Sequence, residues 1–115
     1  IDGVPTAINL VGLPDKWLEN FTFENISVKN AGEGIRINRM KNLTLKNVNV
    51  QSESRAMIAE DVFELTLENV NLTDQSEGAP FLLKGEESGA VFLNNYPDEE
   101  IEFGEEVSSE IIRKE

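Results

Sequence analysis

The stretch Leu18-Glu-Asn-Phe-Thr-Phe-Glu-Asn-Ile-Ser-Val28 recurs twice, as Met40-Lys-Asn-Leu-Thr-Leu-Lys-Asn-Val-Asn-Val50 and Val62-Phe-Glu-Leu-Thr-Leu-Glu-Asn-Val-Asn-Leu72. Each copy follows the last at an offset of 22 residues, without a gap. Four columns stay apolar through all three copies: Phe21/Leu43/Leu65, Phe23/Leu45/Leu67, Ile26/Val48/Val70 and Val28/Val50/Leu72. A Thr column (Thr22, Thr44, Thr66) and an Asn column (Asn25, Asn47, Asn69) run between them. A fixed period of this length is the mark of a solenoid.

The spacing inside one copy predicts what it builds. Phe21-Thr22-Phe23 alternates in, out, in, as a short strand does. Glu24-Asn25 breaks the alternation and Ile26-Ser27-Val28 resumes it, which reads as strand, two-residue bend, strand. Asn suits such a bend because it tolerates the left-handed backbone region. A third strand precedes each pair at Gly34–Ile37, Ala56–Ala59 and Phe81–Leu83. Three short strands per 22 residues predict an all-β chain, a right-handed parallel β-helix of four to five rungs.

Stacking explains the columns. Rungs about 4.8 Å apart place equivalent residues directly above one another. Each inward aliphatic is then covered from both sides, worth roughly 1.5–3 kcal/mol when fully buried. The Asn column can hydrogen-bond along the axis at a partly buried corner. The Thr column is expected on the outer face. The Leu-x-x-Leu-x-Leu signature of a leucine-rich repeat is absent, and period-two alternation excludes an amphipathic helix.

The pattern loosens towards both ends. Thr6–Leu10 reads as a strand, followed by a loop over Val11–Trp17. Ala90–Leu93 reads as a further strand and Asn94–Pro97 as a turn. Residues 1–97 are thus assigned to rungs. Residues 98–115 form an acidic segment carrying Ile101, Phe103, Val107, Ile111 and Ile112, read as a cap over the open end or as a disordered tail. Four or five rungs make a stack only ~20–25 Å tall, and the chain starts at Ile1. Further rungs are expected upstream, as a partner of this segment.

Composition narrows the chemistry. The 115 residues hold ten Lys plus Arg against 22 Asp plus Glu, with no Cys and no His, a net charge of −12. Such acidity argues against nucleic acid and anionic membrane surfaces, and no apolar run is long enough to span a bilayer. Without Cys or His there is no disulfide, thiol nucleophile, Ser-His pair or imidazole metal ligand. The acidity is uneven: residues 76–115 hold eleven acids and three bases, and residues 1–75 eleven and seven.

Ala7-Ile-Asn-Leu-Val-Gly-Leu-Pro14, Leu18–Ile26, Glu33-Gly34-Ile35 and Lys41-Asn-Leu-Thr-Leu-Lys-Asn-Val48 resemble the C-terminal rungs of bacterial glycoside hydrolase family 28. These polygalacturonase-like enzymes are right-handed parallel β-helices. The resemblance covers residues 5–75 best. It implies a parent enzyme that hydrolyses pectic polysaccharide with inversion through Asp residues, and a secreted or periplasmic setting. The family's Asn-Thr-Asp, Asp-Asp, Gly-His-Gly and Arg-Ile-Lys motifs are not intact here. Gly34-Ile35-Arg36-Ile37-Asn38 has Asn38 in place of Lys and follows the Gly-Leu-Pro loop rather than preceding it. The resemblance therefore places no catalytic residue in this chain, and no cofactor or metal site. The competing reading is a non-enzymatic β-helix, an adhesin- or tailspike-like binding scaffold.

The remaining candidates read mainly as structure. Glu60-Asp61 is expected in a solvated turn, because adjacent carboxylates do not give the roughly 6.5–9.5 Å separation of an inverting pair. Arg36, Arg39, Lys41 and Arg55 are candidates for uronate carboxylates, with pairing to local acids the expected alternative. Trp17 and Tyr96 are candidate sugar platforms or anchors of their own loops. Asn20, Asn25, Asn42 and Asn71 open Asn-x-Ser/Thr sequons that the repeat already explains. The runs Asp98-Glu99-Glu100 and Glu105-Glu106 lack calcium-loop spacing and read as a solvated face.

Overall fold

In the computed structural model, which describes residues 6–75, 79–97 and 100–114, the chain is a parallel β-solenoid of about four turns. The first turn comprises β1 (Thr6–Val11) and β2 (Leu18–Ala31), the second β3 (Glu33–Ser52) and the third β4 (Met57–Asp74). The fourth comprises β5 (Phe81–Lys84) and β6 (Gly89–Asn94). Two short strands, β7 (Ile101–Phe103) and β8 (Ile112–Lys114), lie over it, joined through a 3-10 turn at Ser109–Ile111. Every strand-to-strand ladder is parallel.

The register follows the repeat. Phe21 pairs with Leu43 and Leu43 with Leu65; Ile26 pairs with Val48 and Val48 with Val70. Their side chains line the interior in the second and third turns, where Leu43, Leu45, Val48, Leu65 and Leu67 are almost fully buried. Thr44 and Thr66 point outward and are half-buried, and Phe92 continues their column.

The corners are tighter than the sequence suggests. Between Glu24 and Ile26, and between Lys46 and Val48, one residue rather than two steps out of the ladder. That residue is Asn at φ 56° in Asn25, 53° in Asn47 and 52° in Asn69. One left-handed residue reverses the pleat, so Ile26 points inward again two positions after Glu24 points out. The Asn column therefore projects outward, and its side chains are exposed rather than partly buried. Asn47 donates to Asn25 Oδ1 at 3.2 Å and Asn69 to Asn47 Oδ1 at 3.3 Å. Asn95, also left-handed at φ 61°, adds a fourth member, donating to Asn69 Oδ1 at 2.8 Å. A second corner uses Asn20, Asn42, Glu64 and Ala90, all at positive φ, and Asn42 donates to Asn20 Oδ1 at 2.7 Å.

One glycine is dictated by the coil. Gly34 sits where the chain turns in against the next rung: a Cβ there would lie 1.9 Å from the Ala56 carbonyl oxygen. A side chain cannot be accommodated without moving backbone.

The two ends differ. At the N-terminal edge, Phe21 is 37% exposed and Phe23 and Ile26 are only half-buried. At the other end Phe103, Val107, Ile111 and Ile112 pack onto the core, and Ile101 is buried. Arg55 ties this segment down, donating to the Ala79 carbonyl at 2.8 Å and pairing with Glu102 at 3.3 Å. Glu106 accepts the Gly85 N–H at 3.0 Å, so one member of the Glu105-Glu106 pair holds a turn instead of lying free on a solvated face. Asp98 and Glu99 lie outside the described residues.

Candidate functional site

An open groove of about 910 Å³ lies beside the Asn20–Asn42 corner. Its position follows from two insertions into the repeat. The register offset between turns one and two drops from Thr6↔Glu33 to Leu18↔Met40, so the first turn carries extra chain, which forms the loop between β1 and β2. An antiparallel bridge between Leu13 and Lys16 closes that loop and sets Trp17 beside the outward column Glu19/Lys41/Phe63. Between turns three and four the offset rises from Glu60↔Lys84 to Phe63↔Gly89, and the added residues bring Glu87 to the groove.

Trp17, Phe21 and Phe63 supply the apolar lining. The ammonium of Lys41 stands 5.8 Å from the Trp17 ring centroid, within cation–π range. Phe63 is 41% exposed and lies over Gly89, where a Cβ would stand 3.1 Å from its ring. Phe21 stacks on Phe23, centroids 6.5 Å apart and rings within 9° of parallel. The polar rim mixes Lys16 and Lys41 with Asp15, Glu19 and Glu87. Aromatic faces edged by ammonium and carboxylate groups can stack on an apolar ring face while exchanging hydrogen bonds with hydroxyls and carboxylates.

The four basic candidates are not brought together. Arg36 points from the outer sheet face and pairs with Glu33 at 3.5 Å. Arg55 is engaged at the C-terminal end. Arg39 is a corner residue at φ 59°, its carbonyl lying against Gly12. Of the four, Lys41 alone lines the groove. Proximity of Lys41 to Trp17 was hidden because the loop insertion breaks the repeat between them.

Glu60 and Asp61 part company. They lie within β4 rather than in a solvated turn. Glu60 faces the outer sheet surface, lining a small cleft of about 210 Å³ with Arg36, Asn38 and Lys84. Asn38 Oδ1 is buried there without a hydrogen-bond partner among the described residues. Asp61 turns the corner at φ 54° and accepts the Glu87 N–H at 3.2 Å, which fixes the turn that carries Glu87 to the groove. One carboxylate lines the cleft and the other holds a turn.

Tyr96 is an anchor. It is buried, packs on Phe81 with centroids 6.4 Å apart, and donates to the Glu100 carbonyl at 3.1 Å. Burial pushes its phenol well above the ordinary value, and the charges of Glu100 and Asp74 push the same way. Asn20, Asn25 and Asn42 are committed to the ladders, while Asn71 is exposed on the outer face. No group of three or more metal-ligating side chains occurs among the described residues, and no helix is long and apolar enough to cross a membrane.

No protein-family model, curated protein or solved structure matches this chain. The fold defines a class, the parallel β-solenoids.

Proposed function

We propose that this chain is a carbohydrate-binding stretch of β-solenoid, and that it forms the C-terminal turns of a polygalacturonase-like glycosidase acting on pectic polysaccharide with inversion. The observation that carries the reading is the groove in which Trp17 and Phe63 share one surface with Lys16 and Lys41. The rings would stack on sugar faces, the lysines would meet uronate carboxylates, and Asp15, Glu19 and Glu87 would accept from hydroxyls. The rung resemblance over residues 5–75 supports the enzyme family, and a secreted or periplasmic setting belongs to that reading. The acid and base are assigned outside this chain, since the family's motifs are not intact and Glu60 and Asp61 diverge.

The divergence of those two carboxylates equally favours a second reading, a non-enzymatic β-solenoid that binds sugar and does no chemistry. Trp17 is the sole tryptophan, so its fluorescence reports the groove directly. Titration with oligogalacturonate is expected to shift that emission saturably, and Lys41→Gln to weaken binding by about tenfold. A neutral oligosaccharide bound equally well by both proteins would remove the uronate assignment. No response to either sugar would remove the groove. Hydrolysis of polygalacturonate by this chain alone would overturn the placement of catalysis elsewhere.

A further inference from the structure

Both Asn ladders run in one direction. Each carboxamide donates its Nδ2 to an Oδ1 in the preceding turn: Asn95 to Asn69, Asn69 to Asn47, Asn47 to Asn25, and Asn42 to Asn20. The series ends on Asn25 and Asn20, whose oxygens are occupied and whose Nδ2 groups have no partner among the described residues. The apolar columns end at the same place. Phe21 is 37% exposed above Leu43 at 1%, and Phe23 and Ile26 are half-buried above Leu45 and Val48. Among the described residues, β2 pairs along one side only, with β3.

We infer that this edge is a docking surface for one more parallel turn of the same kind, supplied by a preceding part of the same polypeptide. The chemistry of that turn is specified. It carries Asn or Asp oxygens above Asn20 and Asn25, five residues apart, and aliphatic side chains above Phe21, Phe23 and Ile26. Such a turn repeats the interface already present between β2 and β3, and it saturates the two free amides, the open columns and the unpaired main chain together.

A second copy fits less well. Its C-terminal end offers two strands of three residues each, amid Glu100, Glu102, Glu105, Glu106 and Glu110. Two copies meeting edge to edge would set free Nδ2 donors against one another. The inference rests on the reading of this chain as the C-terminal turns of a longer solenoid, and an added turn takes Phe21 out of the groove while leaving Trp17 and Phe63 at it.

The test lengthens the solenoid. Residues 33–54 are copied in place of residues 1–5, which the register of Thr6 with Glu33 and Ile35 with Met57 brings into phase. Amide hydrogen exchange across β2 is expected to slow by about tenfold or more relative to the unextended chain. Alanine at the copied Asn42 and Asn47 is expected to reverse part of that gain. Unchanged β2 exchange beside a rapidly exchanging copy would overturn the inference. The unextended chain supplies a check that needs no extra turn to fold. Its β2 exchange is expected to be independent of protein concentration, and slowing with concentration would assign the edge to a second copy and sink the proposal.

Discussion

Leu65 and Phe21 occupy one inward column two turns apart, yet Leu65 is fully buried and Phe21 is 37% exposed. Both read as core in the repeat. The difference lies in what covers them: among the described residues, the third turn has neighbours on both faces and the first has a neighbour on one. In a solenoid, each turn's stability is set by its interfaces with the next, so the same residue type is worth different amounts along the stack. The closed end makes the same point in reverse, because β7 and β8 bury the fourth turn with six residues of strand.

Truncating the two members of that column breaks the comparison most directly. Leu65→Ala is expected to cost about 2–5 kcal/mol, as for a cavity in a packed core. Phe21→Ala should cost about 1 kcal/mol, for half-covered apolar surface. Denaturant unfolding of both variants decides it, and equal losses would mean that the first turn is as well covered as the third.

The Asn ladder gives a smaller version of the contrast. Asn47 both donates and accepts along the ladder, whereas Asn25 only accepts. Asn47→Ala should cost about 2 kcal/mol, combining the left-handed backbone with two exposed hydrogen bonds. Asn25→Ala should cost less, by about one hydrogen bond. Asn47→Gly separates the terms, because glycine keeps the backbone freedom and loses only the side-chain bonds. Should Gly and Ala destabilise equally, the ladder rather than the backbone sets the residue.

The closed end should be the one that responds to alkali. The buried Tyr96 phenol is held neutral in the fold, so its pKa lies above that of the unfolded chain. Its contribution is complete below about pH 10, the ordinary value, and is lost as pH rises beyond it. Hydrogen exchange at Ile101–Phe103 is therefore expected to quicken above that pH before exchange in β3 does. Tyr96→Phe should cost about 1 kcal/mol at neutral pH for the lost bond to Glu100 and abolish that onset. An onset that survives in the variant would place the titrating group elsewhere.

The smallest expected effect is at the groove. Trp17 is half-buried on an exposed loop, so Trp17→Ala should change unfolding free energy by about 0.5 kcal/mol while abolishing oligogalacturonate binding read by titration calorimetry, which needs no tryptophan signal. A large loss of stability would make Trp17 chiefly a loop anchor.

Legibility tracks the period. The apolar columns and Asn25, Asn47 and Asn69 were readable because stacked turns repeat their requirements every 22 residues. Asn95 belongs to the same ladder but follows Asn69 by 26 residues, since extra chain both before Phe81 and between Lys84 and Gly89 shifts the phase. Asn20 and Asn42 also stand 22 residues apart. Their corner escaped notice because Glu64 and Ala90 fill its next places. The two-residue bend was an overcount: alternation locates a corner but does not say which residue takes positive φ. Glu106 and Arg55 looked like surface charge, and their bonds to Gly85 and Glu102 join residues that no periodicity links.

The sequence by itself determined the coil, its 22-residue period, its inward columns and the asparagine at one corner, because a translational stack imposes identical surroundings on every turn. Only the tertiary structure decided where the repeat is interrupted to useful effect. The loop that sets Trp17 beside Lys41, the turn that Asp61 holds at the groove, and the unequal covering of the two ends each depend on contacts between non-equivalent residues. Such contacts leave no periodic trace, because each occurs once.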